Sequence, residues 1–425
     1  MVAETPPMGW NSWDCYGTSV TEEELLENAR YMRDHLKRYG WRYVVCDIQW
    51  YEPTADSTGY HDFVPLRMDG HSRLIPAENR FPSSRGGKGF GPIADEIHAM
   101  DLKFGIHIMR GIPRQAVHQD CAILGTSVRA RSVAQRFSVC SWNTDMYGLA
   151  MEKPGAQEYY DSIFSLYASW GVDFVKVDDI CHTYFKPVDP YSAKAEIEAI
   201  RKAIDKCGRE IVLSLSPGPA PRSQAEHLAK NANMWRISGD FWDDWEDLKR
   251  MFSLCKEWQG VSKPGSWPDC DMIPFGHISI RGCERGLGER MTRLTHDEQI
   301  TLMTLWCLFR SPLFFGGNLP DNDAWTEKLL TNEDVLAVHR SSHDARLVSE
   351  NPVSVWLAEG EGYRYTAFCN LSDECVTFDP SLSGFVFGNA ENLWEKTELA
   401  YGHPISLPPH GSALFASSLS KESIK

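Results

Sequence analysis

The feature that most constrains the fold is an alternation of short apolar segments with longer amphipathic segments, repeated eight times along most of the chain. The apolar segments are rich in β-branched and aromatic residues, whereas the amphipathic segments repeat at helical spacing. Strands that alternate with helices form parallel sheets, and eight repeats favour a closed (β/α)8 TIM barrel over an open sheet. The predicted strands cover residues 7–10, 43–47, 104–108, 171–179, 211–215, 234–237, 267–273 and 312–315.

The helices between these strands are indicated by capping signals and apolar faces. Thr21 and Glu24 have the spacing of a capping box, which predicts a helix over 21–39 that ends at Gly40. Further helices are predicted at 92–100, 156–170, 193–206, 223–231, 245–258, 296–309 and 325–338.

The hydrophobic period changes to two from about residue 344, which is typical of antiparallel strands. We therefore predict two domains, a barrel over residues 1–340 and an antiparallel β-sandwich over residues 341–425. The predicted strands of the second domain are 354–358, 363–368, 375–378, 392–395 and 414–416.

The segment 171–179 predicts a short buried strand that ends in charged residues. Alternation along a strand places Lys176 and Asp178 on the same face as Phe174, and Asp179 on the opposite face. Buried charges are costly unless they pair with each other or perform chemistry. From this segment alone, a structural ion pair and a functional site both remain open.

Four of the predicted strands carry an aspartate at or just beyond the carboxyl end: Asp47, Asp178, Asp240 and Asp271. One such residue is usually a helix cap or a turn residue. In a barrel, however, all four converge on the rim where active sites form, together with Lys176 and Arg236. This convergence favours a functional site.

Two facing carboxyl groups without histidine ligands suit the hydrolysis of glycosidic bonds, in which one attacks the anomeric carbon and the other protonates the leaving oxygen. Lys176 shares a strand face with Asp178 and should lower its pKa, so Asp178 is the candidate nucleophile. Asp240 precedes an aromatic turn, and we expect this less polar setting to hold the proton that an acid needs.

The composition narrows the classes of partner. The formal net charge is −15 and no basic cluster is present, which argues against nucleic acid and anionic membrane surfaces. The 15 tryptophans favour a sugar or an aromatic ligand. The 12 cysteines are scattered without a zinc-type spacing, so we expect reduced thiols and neither a metal nor another cofactor.

The start of the chain lacks the basic and apolar regions of a signal peptide, and no window approaches the roughly 18 apolar residues of a membrane span. We therefore expect a cytoplasmic protein without a membrane segment. A homo-oligomer is left open.

Four segments resemble a known family. They are Pro-Met-Gly-Trp-Asn-Ser-Trp at 7–13, Lys-Val-Asp at 176–178, Trp-Arg at 235–236 with Asp240, and Trp-Pro-Asp-Cys-Asp-Met at 267–272. In this order, and over nearly the whole chain, they resemble glycoside hydrolase family 27, the α-galactosidases and α-N-acetylgalactosaminidases. The resemblance implies Asp178 as nucleophile and Asp240 as acid/base, in a metal-free reaction that retains the anomeric configuration.

The resemblance also implies substrate-binding roles. Trp13 would form the wall on which the sugar stacks, and Asp47 and Lys176 would bind hydroxyls on the O4/O6 side. Arg236 would bind O2, and Asp271 would support the floor of the site.

Two positions depart from the galactosidase pattern. The family's galactosidases carry two adjacent acids after the second strand, whereas here Asp47 is followed by Ile48 in place of the acid that binds O4 of galactose. A glutamate that contacts O2 is replaced by Ser216, whose small size resembles the N-acetylgalactosaminidases. Residues 281–293 have no counterpart in the pattern, and our hypothesis places them on the leaving-group side.

These departures leave several functions open. The first is an exo-acting retaining α-glycosidase for galactosides or N-acetylgalactosaminides. The same mechanism could act on another sugar, since the family also contains β-L-arabinopyranosidases and α-glucan-cleaving, isomaltose-releasing members. A non-catalytic sugar-binding barrel and a metal-dependent enzyme that uses Asp178 with Asp179, or Asp269 with Asp271, are the rivals from other classes.

Overall fold

The computed structural model describes residues 2–57, 59–282, 284–380, 390–399 and 402–419. Eight parallel strands form one sheet, and their order is β7-β6-β5-β4-β3-β2-β1-β8. The sheet closes because Ile273, just beyond β7, pairs with Phe315 of β8. The predicted barrel is confirmed. Its strands are β1 (Met8–Asn11), β2 (Tyr43–Cys46), β3 (Lys103–Met109), β4 (Phe174–Asp178), β5 (Val212–Leu215), β6 (Met234–Arg236), β7 (Trp267–Asp269) and β8 (Leu313–Phe315).

Twelve α-helices occur in the described residues, most of them on the outside of the barrel. They are α1 (Trp13–Tyr16), α2 (Glu22–Tyr31), α3 (Gly91–Ala99), α4 (Arg114–Gln119), α5 (Ala130–Val133), α6 (Ala156–Ser169), α7 (Lys194–Lys206), α8 (Ala225–Asn231), α9 (Trp245–Trp258), α10 (His296–Phe309), α11 (Ala324–Leu330) and α12 (Glu333–Ser341).

Local signals explain where several helices begin and end. The predicted capping box at α2 is confirmed, since Glu24 N donates to Thr21 Oγ1 and Thr21 N donates to Glu24 Oε2. Beyond α2 the chain continues as a π turn and then a 3₁₀ turn, and the helical segment ends at Gly40, which has φ 105°. The single helix predicted over 325–338 is wrong, because Asn332 caps a new helix at that point by accepting from Asp334 N and Val335 N.

The side-chain alternation of β4 agrees with the prediction. Phe174 packs inside the barrel against Tyr43 and Phe314, and Lys176 and Asp178 follow on the same face. Val175 and Val177 point outward into the main apolar core between the sheet and its helices. The strand therefore delivers two charged side chains to the carboxyl-terminal mouth of the barrel.

Two small sheets, missed by the sequence analysis, sit in the connections at that mouth. One contains Ile112–Pro113, Ala134–Gln135 and Met146–Leu149, and the other is a hairpin of His277–Ile278 and Arg290–Met291. Segments of two to four residues are too short to show a period.

In the described residues after α12, every strand pairs in the antiparallel direction. A six-stranded sheet and a two-stranded sheet enclose a small apolar core that includes Phe368, Phe378 and Phe415. Residues 381–389, 400–401 and 420–425 of the predicted second domain lie outside the described residues. The described strands are β9 (His343–Ser349), β10 (Ser354–Gly360), β11 (Tyr363–Cys369), β12 (Val376–Phe378), β13 (Ala390–Asn392), β14 (Thr397–Leu399), β15 (Ile405–Leu407) and β16 (Ser412–Ser418).

Three of these strands, β9, β14 and β15, were not predicted. The predicted strand 392–395 overlaps β13 only at Asn392, and residues 393–395 form the turn that follows. No helix within the described ranges combines the length and the apolar character needed to cross a membrane.

Candidate active site

The candidate active site lies at the carboxyl ends of the barrel strands, where the register brings the predicted residues side by side. His107 of β3 is level with Lys176 of β4, and Lys176 is level with Ser214 of β5. A cavity of about 440 Å³ opens at this end of the barrel. It is lined by all but one of the residues that the sequence predicts for the site, namely Trp13, Asp47, Lys176, Asp178, Arg236, Asp240 and Asp271.

Asp178 ends β4, and its side chain is only 12% exposed. His107 Nε2 lies 2.6 Å from Asp178 Oδ2, and the Ser216 hydroxyl donates to Oδ1. Burial alone would raise the pKa of Asp178, but the positive charge of Lys176, 3.8 Å away, and the contact with His107 outweigh it. The pKa therefore lies below its ordinary value, and the carboxyl group is ionised at neutral pH.

Asp47 and Lys176 form a buried ion pair beside Asp178. Lys176 Nζ donates to Asp47 Oδ2 at 3.0 Å, and Asn11 Nδ2 donates to the same oxygen at 2.8 Å. Despite burial, Asp47 and Asp178 together raise the pKa of Lys176, and Lys176 lowers the pKa of Asp47. Both side chains stay charged and offer a cation and an anion to sugar hydroxyls.

Asp240 lies in the segment after β6 and lines the same cavity as Asp178. Arg236 donates to Asp240 Oδ1 at 3.2 Å and to Asp271 Oδ2 at 2.5 Å. The Asp240 side chain is 63% exposed, so the apolar setting expected for this residue is wrong. The aromatic side chains that follow it, Phe241 and Trp242, turn inward and are buried.

Asp271 holds the floor of this part of the cavity. Its Oδ2 also accepts from Phe241 N at 2.8 Å, and its Oδ1 accepts from Met272 N at 2.8 Å. Asp271 has φ 85°, in the left-handed region that only a few non-glycine residues adopt. Its carboxylate thus fixes the guanidinium of Arg236 and the backbone that follows Asp240.

Ser216 is the one predicted site residue that does not line the main cavity. It follows β5, is 1% exposed, and its hydroxyl is committed to Asp178. It borders a smaller cavity inside the barrel, next to Lys176 and Arg236. Room for an acetamido group at this position stays a prediction.

Aromatic residues make one wall of the cavity. Trp13 stacks with Tyr60, with ring centroids 6.1 Å apart and planes 12° apart, and Tyr60 contacts Trp142 at 5.5 Å. Flat apolar walls of this kind pack against the apolar faces of sugar rings. The sequence analysis found Trp13 but missed Tyr60 and Trp142, because they lie in long connections without any period.

Two acidic residues of the lining were also missed, Asp14 and Glu284. Asp14 is 2% exposed, and no described group forms a hydrogen bond with its Oδ2. Burial and the nearby Asp271 raise the pKa of Asp14 well above its ordinary value. Its only signal in the sequence is that it directly follows Trp13.

Comparison with known proteins identifies the family. Residues 145–341 match the family described as α-galactosidase A. α-Galactosidase 2 of Arabidopsis thaliana is 24% identical over 93% of this chain and 84% of its own length. The crystal structure of a β-L-arabinopyranosidase of glycoside hydrolase family 27 from Geobacillus stearothermophilus is 56% identical, covers 99% of this chain and 97% of its own, and has a TM-score of 0.95. The chain belongs to glycoside hydrolase family 27.

The chain is therefore a glycoside hydrolase. A variant of the Geobacillus enzyme, solved in complex with arabinose, is 55% identical with a TM-score of 0.95. A Bacillus halodurans C-125 protein is 50% identical over 99% of both chains, with a TM-score of 0.87.

The residue after Asp47 is one of the two positions at which the chain departs from the galactosidase pattern. Ile48 is 1% exposed and packs in the main apolar core. Its backbone N–H donates to Asp47 Oδ1 at 2.8 Å, so the turn after β2 still orients Asp47. The position offers a sugar no carboxylate.

Asp179 turns away from the cavity, as the strand alternation predicts. Its Oδ2 lies 2.8 Å from a nitrogen of Arg110, and Arg110 also donates to Glu196 Oε1 at 2.9 Å. No group of three or more potential metal ligands occurs among the residues that the structure describes. Asp178 and Asp179 therefore do not form a joint site.

Proposed function

We propose that this chain is a retaining exo-glycosidase that releases terminal β-L-arabinopyranosyl units. The observation that carries the choice of sugar is Ile48, a buried apolar residue where galactosidases of the family carry an acid. The similarity to the Geobacillus β-L-arabinopyranosidase supports the same sugar.

The stereochemistry of the sugars makes this choice specific. A β-L-arabinopyranoside has the ring configuration of an α-D-galactopyranoside but lacks the exocyclic CH2OH group. Replacement of the galactosidase carboxylate by Ile48 makes the O4/O6 side of the site less polar, which suits the sugar that lacks the exocyclic hydroxyl on that side, because a site built to bind a hydroxyl discriminates by pairing it. Asp47 and Lys176 remain on this side for the ring hydroxyls, Arg236 serves O2, and Trp13 stacks on the ring.

In the proposed reaction Asp178 attacks the anomeric carbon while Asp240 donates its proton to the leaving oxygen. The aglycone departs and leaves a glycosyl ester on Asp178. Asp240, now a carboxylate, takes a proton from water as this water attacks the same carbon and displaces the Asp178 carboxylate, so the sugar is released with its configuration retained. The buried Asp178 suits the nucleophile, and the exposed Asp240 suits exchange of aglycone and water.

Lys176, His107 and Ser216 surround the Asp178 carboxylate with positive charge and hydrogen-bond donors. They keep the nucleophile ionised and oriented before the substrate binds. Arg236, held by Asp271, is placed to orient Asp240 through its contact with Oδ1. These contacts supply preorganisation, which is the main electrostatic contribution to catalysis.

The second candidate is an α-D-galactosidase, which the matched family and the curated relatives favour. The residues that line the cavity suit both sugars, and Ile48 lies behind this lining in the apolar core. The question is therefore one of preference between two sugars that differ by one CH2OH group. In an apolar setting, a difference of this size changes kcat/KM by about 10- to 200-fold.

The test is a panel of nitrophenyl glycosides: β-L-arabinopyranoside, α-D-galactoside, α-N-acetylgalactosaminide and α-D-glucoside. We expect the highest kcat/KM with the β-L-arabinopyranoside, by about 10-fold or more over the galactoside. Ile48→Asp should shift this ratio toward the galactoside, whereas Ile48→Val should not. A wild-type preference for any other glycoside would reject the proposed sugar.

The mechanism is tested separately. A fluorinated glycoside that stalls at the glycosyl-enzyme should label Asp178, as located by peptide mapping. Proton NMR should show that the sugar is released with the anomeric configuration of the substrate. A label on another residue, or release of the inverted anomer, would reject the assigned nucleophile.

A further inference from the structure

Two acidic side chains of the cavity lining, Asp14 and Glu284, have no role in the proposed reaction, and Glu284 is the less buried of the two. Glu284 lies in the insertion between β7 and α10 and lines the cavity together with Asp240, Trp242 and Tyr184. Its residue surface is half-buried. Burial and the neighbouring Asp240 raise the pKa of Glu284.

The insertion is held firmly on the barrel by arginines. Arg290 donates to both oxygens of Asp243, at 2.6 and 2.9 Å. Arg281 donates to Glu24 Oε2 at 2.6 Å and to Ser19 Oγ at 2.7 Å. Bidentate and charge-assisted contacts of this kind fix geometry as well as supplying energy.

Glu284 itself sits at the start of a tight turn. Glu284 pairs with Leu287 across the turn, and the two central residues, Arg285 and Gly286, both have positive φ, 52° and 76°. Positive φ at both positions is the signature of a type I′ turn, which has little freedom. The backbone that carries the Glu284 side chain is therefore well defined.

Arg285 connects this turn to Asp240, the proposed acid/base. Its guanidinium donates to the backbone carbonyl of Asp240 at 3.1 Å and lies 2.7 Å from Asp247 Oδ2. The turn that carries Glu284 is therefore fixed relative to Asp240. Since Asp240 protonates the leaving oxygen in the proposed mechanism, Glu284 faces the group that leaves rather than the terminal sugar.

We propose that Glu284 binds the aglycone and accepts hydrogen bonds from its hydroxyl groups, so that the leaving group is a further sugar unit. The assignment rests on the proposed role of Asp240 in leaving-group protonation. An ionised carboxylate accepts hydrogen bonds and donates none, and a sugar supplies several hydroxyl donors next to the scissile bond. An aryl group supplies none, and its approach would bring an apolar face against a partly buried carboxyl group.

The experiment compares two substrates that share the terminal sugar. One is the nitrophenyl glycoside, and the other is a disaccharide with the same terminal unit on a second sugar. Glu284→Leu should lower kcat/KM for the disaccharide by about 10- to 100-fold, as expected for a lost hydrogen bond to a charged group. The nitrophenyl glycoside should lose far less of its kcat/KM than the disaccharide, because its aglycone makes no such bond.

Glu289→Leu is the matched control, because Glu289 lies in the same insertion, is 60% exposed and pairs with His277 away from the cavity lining. It should leave both substrates unaffected. An equal loss of both substrates in Glu284→Leu, or no loss of either, would overturn the aglycone role. Both substrates carry whichever terminal sugar the wild type cleaves, so a preference for galactosides would contradict the proposed sugar without affecting this comparison.

Discussion

At the scale of single residues, Asp178, the proposed nucleophile, depends on three neighbours that come from three different strands. Lys176 precedes Asp178 on β4, whereas His107 belongs to β3 and Ser216 follows β5. Only the pair on β4 could be predicted from the alternation of one strand. The other two contacts depend on which strands are neighbours and on their register, and neither is encoded in the local period.

Ser216→Ala tests the hydrogen bond to Asp178. Without the hydroxyl, one carboxylate oxygen stays buried and loses a donor, so the pKa of Asp178 should rise and the attack should slow. We expect kcat to fall by about 10- to 100-fold, the value of a hydrogen bond to a charged group, with the acidic limb of the kcat/KM profile moved to higher pH. Kinetics on a nitrophenyl glycoside from pH 3 to 8 measure both effects.

Ser214→Ala is the control for this prediction. Ser214 is level with Lys176 on β5 and is 3% exposed, and it borders the inner cavity rather than Asp178. A similar loss in Ser214→Ala would assign the effect to packing inside the barrel. An unchanged acidic limb in Ser216→Ala would contradict the electrostatic role of its hydroxyl.

Other residues of the cavity were beyond prediction from the sequence. Tyr60, Trp142 and Glu284 lie in long connections, where side chains are positioned by turns and tertiary contacts rather than by a regular period. Asp14 could have been noticed, because it follows the predicted sugar wall Trp13. A single acidic residue after a strand is nevertheless usually a capping residue, so it stood out only once its burial was known.

At the scale of elements, the first and last residues of helices were predicted best where a capping side chain marks the start of the helix. The helices α9 and α10 begin and end at the predicted residues, since Asp244 caps the first and a capping box of Thr295 and Glu298 starts the second. The strands of the second domain that were missed are short, or are partly exposed as β9 is. Their residues show no clear alternation of apolar and polar positions.

The opposite face of β4 carries a second charged network that the reaction does not use. Arg110 lies between the carboxylates of Asp179 and Glu196, and Glu196 also accepts from the Tyr160 hydroxyl at 2.5 Å. Two buried carboxylates share one guanidinium, so the network carries an excess negative charge. Burial raises the pKa of Asp179 to about 6 although Arg110 opposes the shift, and Glu196 adds to it.

Asp179→Asn tests how the raised pKa of Asp179 affects the stability of the folded protein. The folded-state pKa is higher than the ordinary value of 3.8, so the stability that Asp179 provides is complete below about pH 4 and is lost as the pH rises through about 6. Asparagine cannot ionise and avoids this loss. From pH 4 to pH 7 the variant should gain about 3 kcal/mol in unfolding free energy relative to the wild type, at 1.36 kcal/mol per pKa unit.

Urea unfolding of both proteins at several pH values measures this difference. Asp205→Asn is the control, because the Asp205 side chain is 67% exposed and pairs with Arg201 on the surface. Its stability relative to the wild type should be almost independent of pH over the same range. A relative stability of Asp179→Asn that falls as the pH rises would show that Arg110 keeps Asp179 ionised in the folded protein.

At the scale of the whole molecule, α10 joins the barrel to the antiparallel sheets. Thr304 of this helix accepts from Trp394 Nε1 at 2.8 Å, and Thr301 donates to the backbone carbonyl of His410 at 2.6 Å. The His410 ring also stacks on Trp245 of α9 at 3.7 Å. A helix that is apolar on all sides is buried on all sides, and here the second domain covers the side that the barrel leaves open.

The contacts of α10 with both domains predict that the two domains unfold together. Trp394 is 7% exposed and lies against α10, so Trp394→Ala should create a cavity between the two domains and cost about 3–5 kcal/mol of unfolding free energy. Because α10 also packs on the barrel, we expect the loss to lower the Tm of the whole chain. Loss of glycosidase activity on heating should then coincide with loss of secondary structure, in the variant as in the wild type.

Calorimetry combined with activity measured after heating provides the test, with Tyr363→Ala as the control. Tyr363 belongs to β11 of the same domain but is 46% exposed, so its removal should change the Tm only slightly. Two separate transitions in Trp394→Ala, with activity surviving the first, would mean that the barrel folds independently of the antiparallel sheets. One transition at a lower Tm would mean that α10 is stable only when both domains cover it, because each domain buries a different side of the helix.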